Sequence, residues 1–382
     1  MTPWLTLALG LVAIAIVLVD AFEAMLLPRR VARNLRLARQ FYRVTWQPWA
    51  ALGRRLGPGK RREIYLSVFG PLSMLVLFTV WAAGLILGFA LLHWSLATPL
   101  SSLRAGASLF EDLYLSGVTF FTLGYGDVTP IDPLGRMLAV LEAGIGFGFL
   151  AVVISYLPVL YQAFSRRELT ISLLDARAGS PPTAAQLLVR SAAVQDREDL
   201  ARILGEWERW SAELLESHLS FFVLSYYRSQ HDNQSWLAAA TAILDTCCLL
   251  IAVVDCDHVY QAGLTFAMTR HAVVDLAQAF KSPPRLPDHD RLPPDRLSRL
   301  RDSLRSAGLT LREGPAVAGK LAELRAMYEP FVASLSAYFV FPLPAILSDA
   351  PPVDNWQTSA WMRRTAGITE LAPAQPDDDH LD

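Results

Sequence analysis

Three long apolar runs stand out along the chain. Residues 1–27 carry no charged side chain before Asp20, residues 64–92 carry none over 29 positions, and residues 137–165 carry only Glu142 before Arg166 and Arg167 close the run. At ~1.5 Å per residue each is long enough to cross a bilayer core as a helix. The first has neither a basic leader nor a small-x-small cleavage site, so it reads as a retained helix and not a secretory signal. Beyond residue 167 the apolar positions recur with helical spacing: 196–227, 236–254, 257–280, 295–306 and 317–338. Proline-rich stretches at 282–294 and 343–352 divide them, and residues 372–382 have the composition of a disordered tail. The expected architecture is an all-α membrane protein with three transmembrane helices, followed by a cytoplasmic helical bundle at 167–371.

Composition supports this reading. Hydrophobic residues make up 53% of the 382 and charged ones 18%, which is too apolar for an ordinary soluble protein of this length. The net charge of -2 conceals an asymmetry. Eleven Lys or Arg and no acid lie between Arg29 and Arg62, leaving 23 basic against 36 acidic residues elsewhere. Short basic loops stay in the cytoplasm. The linker 28–63 and everything after 166 are therefore expected inside, with the N-terminus and the 93–136 loop outside. Cys247, Cys248 and Cys256 cannot build a disulfide framework. Adjacent cysteines on a helix point 100° apart, and with His258 they match no common zinc spacing, so no metal and no cofactor is expected. No basic nucleic-acid-binding pattern is present.

The outer loop contains Thr122-Leu123-Gly124-Tyr125-Gly126-Asp127, preceded by a helix-compatible stretch at 107–121. A cation crossing lipid must exchange its hydration shell for fixed oxygens, which a ring of backbone carbonyls supplies when successive C=O groups turn to one side. That requires positive φ at alternate residues, and Gly124 and Gly126 have the spacing. A Gly-Tyr-Gly on its own is an ordinary turn; here it lies between two apolar spans on the outer side.

These residues resemble the pore module of the potassium channel family over about 64–166, with an outer helix (64–92), pore helix (107–121), filter (122–127) and inner helix (137–165). The resemblance implies that Thr122 to Gly126 bind K+, with the Thr122 hydroxyl as the innermost ring and Tyr125 packing sideways to set the diameter. It implies a homotetramer, since one loop cannot encircle an ion. Two positions depart from the family pattern: Phe121 stands where a threonine is usual, and Val118 where some bacterial channels place a carboxylate. Tyr114 is the expected hydrogen-bond partner of Asp127 in its stead.

On the inner helix, Gly144, Gly146 and Gly148 serve either as a hinge or as packing notches, and the family position favours Gly146 as hinge. Phe147, Leu150, Ile154 and Pro158 fall near one face and are expected to line the cavity below the filter. Glu142, at membrane depth, needs a partner. It is read as a strut against the pore-helix hydroxyls Ser116 and Thr119, with an acid on the ion pathway as the other reading.

Arg30, Arg33, Arg36, Arg39 and Arg43 superficially imitate a voltage sensor, but only one helix precedes them to supply counter-charges. A basic interfacial helix resting on anionic lipid, with Trp46 and Trp49 at the interface, is expected instead. Asp20 and Glu23 are read as a clamp for these arginines or for a neighbour's linker. In the C-terminal half, Asp245 at the centre of 236–254 argues against a fourth span. The polar run 227–236 marks His218, Arg228, His231, Asp232 and Asn233 as a candidate ligand or subunit-contact site for an unidentified cytoplasmic ligand, with Asp232, Asn233 or Ser235 free to cap the next helix.

The sequence thus points to a passive, tetrameric, potassium-selective channel of a bacterial-type inner membrane, not an enzyme, assembled or gated by its helical domain. A weakly selective cation pore and a membrane-anchored scaffold with a vestigial pore are the alternatives.

Overall fold

The computed structural model describes residues 3–25, 37–101, 108–193, 197–230 and 234–349. Arg30, Arg33, Arg36, His231, Asp232, Asn233, Ala107 and the 372–382 tail lie outside these residues. The described chain is helical apart from one two-residue antiparallel ribbon. It divides into two compact units. One comprises Met1–Ala51, Val68–Gln162 and Ser220–Leu224, the other Leu52–Ser67, Ala163–Leu219 and the described part of Ser225–Asp382. The basic linker is thereby shared, its first part belonging with the membrane helices and its last with the C-terminal domain.

In the first unit, α1 (Pro3–Met25) lies along α4 (Phe69–Ser95); α2 (Leu37–Arg55) and α3 (Lys60–Ser67), the latter belonging to the second unit, come between them in the chain. Among the described residues, three helices are long and apolar enough to cross a membrane: α1, the continuous run Lys60–Ser95, and α6 (Pro133–Ala178). Lipid gives no hydrophobic drive to pair helices, so close backbone approach must supply the contact. A Cβ on Gly10 would sit 2.7 Å from the Gly88 carbonyl oxygen, and one on Gly88 would sit 2.6 Å from Ile14.

Asp20 completes the join. It is buried and accepts hydrogen bonds from Trp81 Nε1 at 2.9 Å and from the Ala38 amide at 3.0 Å. A carboxylate eighteen residues upstream thus caps the start of α2, where unpaired amides favour negative charge. The clamp expected of Asp20 is present, but on a backbone amide and an indole. Trp46 departs from the interfacial role: it is 1% exposed, packed edge-on against Phe69 at 4.8 Å, with Trp49 on the same ring at 5.8 Å. The aromatic face of α2 turns onto α4 because Phe69 offers a drier surface than the interface, leaving Arg43, Val44 and Arg55 exposed.

The second unit packs α7 (Ala184–Ala193), α8 (Arg197–Ser220), α9 (Trp236–Ala252), α10 (Val259–Ala279), α11 (Pro294–Ser306), α12 (Pro315–Ala326) and α13 (Glu329–Phe339). Its centre is α9, with nearly every residue buried. Ser235 caps it, its hydroxyl accepting from the Ala238 amide at 3.0 Å. Asp245, 1% exposed, is ion-paired with Arg291 through both guanidinium nitrogens and accepts from the Tyr328 hydroxyl. Glu329 also faces Arg291 at 3.3 Å. An aspartate held by a buried arginine from the same bundle makes α9 a core helix and not a fourth span. The 317–338 stretch, read as one helix, is two: α12 ends before Tyr328, and Pro330 opens α13, where a proline lacking its N–H is tolerated.

Candidate functional site

The loop between α4 and α6 is held at both ends. Leu100–Ser101 pairs with Thr129–Pro130, the Ile131 amide donates to Pro99 O at 2.9 Å, and Arg136 Nε donates to Pro130 O at 3.1 Å. Within it lies α5 (Leu109–Phe120). Its cap is Ser108, whose hydroxyl accepts from the Phe110 amide at 3.2 Å, and Glu111 and Asp112 in its first turn complement the helix dipole. Leu115, Ser116 and Phe120 are buried as α5 packs against α4. The opposite, partially negative end of α5 leads directly into the glycine-bearing loop.

There the sign of φ alternates. Thr122, Gly124 and Gly126 have φ of 58°, 56° and 79°, while Leu123 and Tyr125 stay outside the positive region. Alternation of this kind lets successive carbonyls point the same way, where an ordinary strand would alternate them. Two of the three positions are glycine, where positive φ costs little; Thr122, β-branched, takes the strain. Its amide is anchored on Thr119 O at 3.0 Å, and that of Leu123 on Val118 O at 2.9 Å. Leu123 and Tyr125 are exposed in the single chain.

Behind the loop, the Tyr114 hydroxyl donates to Asp127 Oδ2 at 2.8 Å, the pairing named from the sequence. Ser116 is fully buried and contacts both Ile86 O, at 2.8 Å, and Glu142 Oε1. Glu142 thus meets one of the two hydroxyl residues expected; Thr119 contributes its carbonyl to the loop. His93, which the sequence reading left at the start of the loop, lies inside the last turns of α4 with 0% exposure, its Nε2 3.9 Å from Glu142 Oε2. The helix runs three residues beyond the apolar run, and that extension carries His93 inside. A histidine flanking an uncharged span that also needs a partner for an intramembrane acid was the available signal.

At Gly146 helix α6 runs unbroken, and a Cβ there would collide with the Phe120 carbonyl at the end of α5. Its small size serves close packing of α6 on α5, whereas nothing lies within 4 Å of a Cβ at Gly144 or Gly148. Phe147, Ile154 and Pro158 are exposed and Leu150 half-buried in the single chain, so this face of α6 is free to meet a pore or neighbouring copies.

Of the polar candidates of the C-terminal half, His218 and Arg228 lie among the described residues. His218 is fully buried: its Nε2 lies 3.2 Å from Arg167 Nη1 and its Nδ1 3.2 Å from the Ser217 hydroxyl. Burial, and then the Arg167 charge, hold its pKa well below the ordinary imidazole value, so it is a neutral acceptor. Arg228 donates to Glu63 at 3.0 Å and to the carbonyls of Val340 and Phe339 at 3.1 and 2.6 Å, and stacks 4.1 Å over the Phe341 ring. Burial lowers its pKa to about 10, still charged at neutral pH. Both are internal ties of the bundle.

Comparison with known proteins converges on the same segment. The sequence model of a family described as "Ion channel" matches residues 74–162. Protein LctB of Geobacillus stearothermophilus is 39% identical over 94 residues, covering 22% of this chain and 69% of that protein. Protein LctB of Bacillus caldotenax is 38% identical over the same extent. An uncharacterized membrane protein of Bacillus subtilis (strain 168), YdjJ, is 26% identical over 196 residues, which is 50% of this chain and 56% of that protein. No solved structure matches.

Proposed function

The chain belongs to the ion channel family, and from that premise we propose that it is a potassium-selective channel, conducting passively through a pore built by four copies. The observation that carries the proposal is the alternation of φ at Thr122, Gly124 and Gly126. A backbone so arranged offers carbonyl oxygens at successive levels, and four such loops around one axis replace the hydration shell of a bare monovalent cation. The Thr122 hydroxyl extends the column inward.

The rest of the molecule is read around that column. Helix α5 directs its negative end toward the ion, Tyr114 and Asp127 brace the loop from the outer side, and Ser116 with Glu142 brace it from behind. The exposed face of α6 carrying Phe147, Ile154 and Pro158 lines the cavity beneath. The protein lies in a bacterial-type inner membrane with the loop outside and the C-terminal domain in the cytoplasm, as the basic linker favours. The exposed arginines of α2 face anionic lipid. The C-terminal bundle, which includes Leu52–Ser67 through the Arg228–Glu63 pair, gates or assembles the pore.

Flux from liposomes tests this. Purified protein in potassium-loaded vesicles should release K+ but not Na+, and Gly126→Ala, which forces a side chain onto a positive-φ position, should abolish release. Equal K+ and Na+ release, or full activity in Gly126→Ala, would refute the filter assignment.

A further inference from the structure

The cluster behind the pore helix contains atoms that the proposed conduction path leaves unexplained. His93 and Glu142 are both 0% exposed, yet among the described residues His93 Nε2 and Glu142 Oε2 have no hydrogen-bond partner. Two such buried atoms at 3.9 Å are too far apart to be bonded and too close to be indifferent. Asp132, in the turn before α6, adds a third orphan in Oδ1, while its Oδ2 accepts from the Gly135 amide at 3.1 Å.

Proton counting explains the gap. His93 Nδ1 lies 3.3 Å from the Thr98 hydroxyl. A neutral imidazole donating there presents a bare lone pair at Nε2, and an ionised Glu142 presents another at Oε2, so two acceptors face each other. What fits between them is one proton. Among the described residues no group of three or more ligating side chains is placed to hold a metal there.

The same proton bears on the pore helix. Ser116 has one hydroxyl hydrogen and two oxygens in reach, Ile86 O and Glu142 Oε1. With Glu142 ionised and unshared, that hydrogen goes to the carboxylate and ties α5 to α6. When Nε2 takes up a proton, the imidazolium draws the carboxylate across the gap, and Ser116 is left to donate to Ile86 O alone.

We infer that His93 Nε2 and Glu142 Oε2 form a one-proton binding site, loaded from the side on which the filter opens, whose occupancy loosens the tie between the pore helix and the inner helix. The inference rests on the channel reading and adds to it a regulatory ligand, the outside proton, and a positioning residue, His93. The groups facing the site are Asp132 from the loop, Ser116 from α5 and Thr98 from the end of α4.

Two readouts on the same reconstituted protein decide it. Acidifying the filter side of a planar bilayer from pH 8 to 4 should lower the wild-type current by about threefold or more, an interval wide enough to include the charge change of a buried imidazole. Within each variant, the ratio of currents at the two pH values should approach one for His93→Gln and for Glu142→Gln. In liposomes, ¹⁵N-histidine magnetic resonance should show, among the signals of the seven histidines, one that converts to imidazolium over the same interval, absent in His93→Gln and displaced to lower pH in Glu142→Gln. A His93→Gln channel that keeps the wild-type pH ratio, or a histidine spectrum in which no pH-dependent signal is lost with His93, overturns the inference. A wild-type protein silent at both pH values would count against the channel reading, and the resonance measurement would still decide the proton site.

Discussion

Asp245→Asn separates the core-helix assignment of α9 from a transmembrane one by the sign of its effect. In the bundle, Asp245 is 1% exposed and pairs with Arg291, itself nearly buried. Removing one partner of a buried pair costs ~3–5 kcal/mol because the other charge is left uncompensated. Glu329 remains 3.3 Å from Arg291 and takes up part of that charge, which places the cost near the lower end, ~3 kcal/mol. A domain of this size moves its midpoint by ~2–4 °C per kcal/mol, so the expected drop is ~6–12 °C. Cys247 and Cys248, buried in α9, report the event directly. Maleimide labelling of the full chain in nanodiscs during a temperature ramp should show their exposure at the lower temperature in the variant. In a helix surrounded by lipid the same substitution would remove an unwanted charge and stabilise the protein. An unchanged or raised midpoint would refute the bundle assignment.

Three further outcomes follow from the site. Gly146→Ala should weaken the α5–α6 contact by ~1–3 kcal/mol through overpacking, seen as a lower melting temperature in detergent, while Gly144→Ala should not. Equal effects would return Gly146 to the hinge role. Tyr114→Phe and Asp127→Asn should each reduce potassium flux, and the double variant no further than the more damaging single one, since both remove one hydrogen bond; multiplied losses would show separate roles. Burial depresses the pKa of His218 in the folded state, so the unfolded chain binds more protons at acidic pH. His218 therefore contributes stability above its unfolded pKa of ~6.5 that is lost as pH falls. The midpoint of the C-terminal domain should drop on acidification from pH 7.5 to 5.5, and drop less in His218→Gln.

The membrane half was legible because its signals are local. Uncharged runs long enough to span, glycines two residues apart, and an Asp127 lacking the usual partner each carry their meaning in one stretch of chain, and the Tyr114 pairing follows from the resemblance to the family. What the sequence could not convey depends on partners distant along the chain. Asp20 caps α2 across eighteen residues, Trp46 turns inward because Phe69 lies opposite, and His93 matters because α4 extends far enough to bring it to Glu142. Arg228 and His218 read as part of a candidate ligand or subunit-contact site, since nothing in their neighbourhood reveals that Glu63 and Arg167 lie against them. The family position suggested a hinge at Gly146, and only the Phe120 carbonyl beside it identifies close packing.

The central claim is that residues 122–126 form a filter for potassium. The reversal potential of purified protein in a planar bilayer, with K+ on one side and Na+ on the other, tests it most directly. The account predicts a large reversal potential of the sign set by the K+ gradient, and no current from Gly126→Ala. A reversal potential near zero, with current intact, would mean a pore that does not distinguish the two ions and would contradict it.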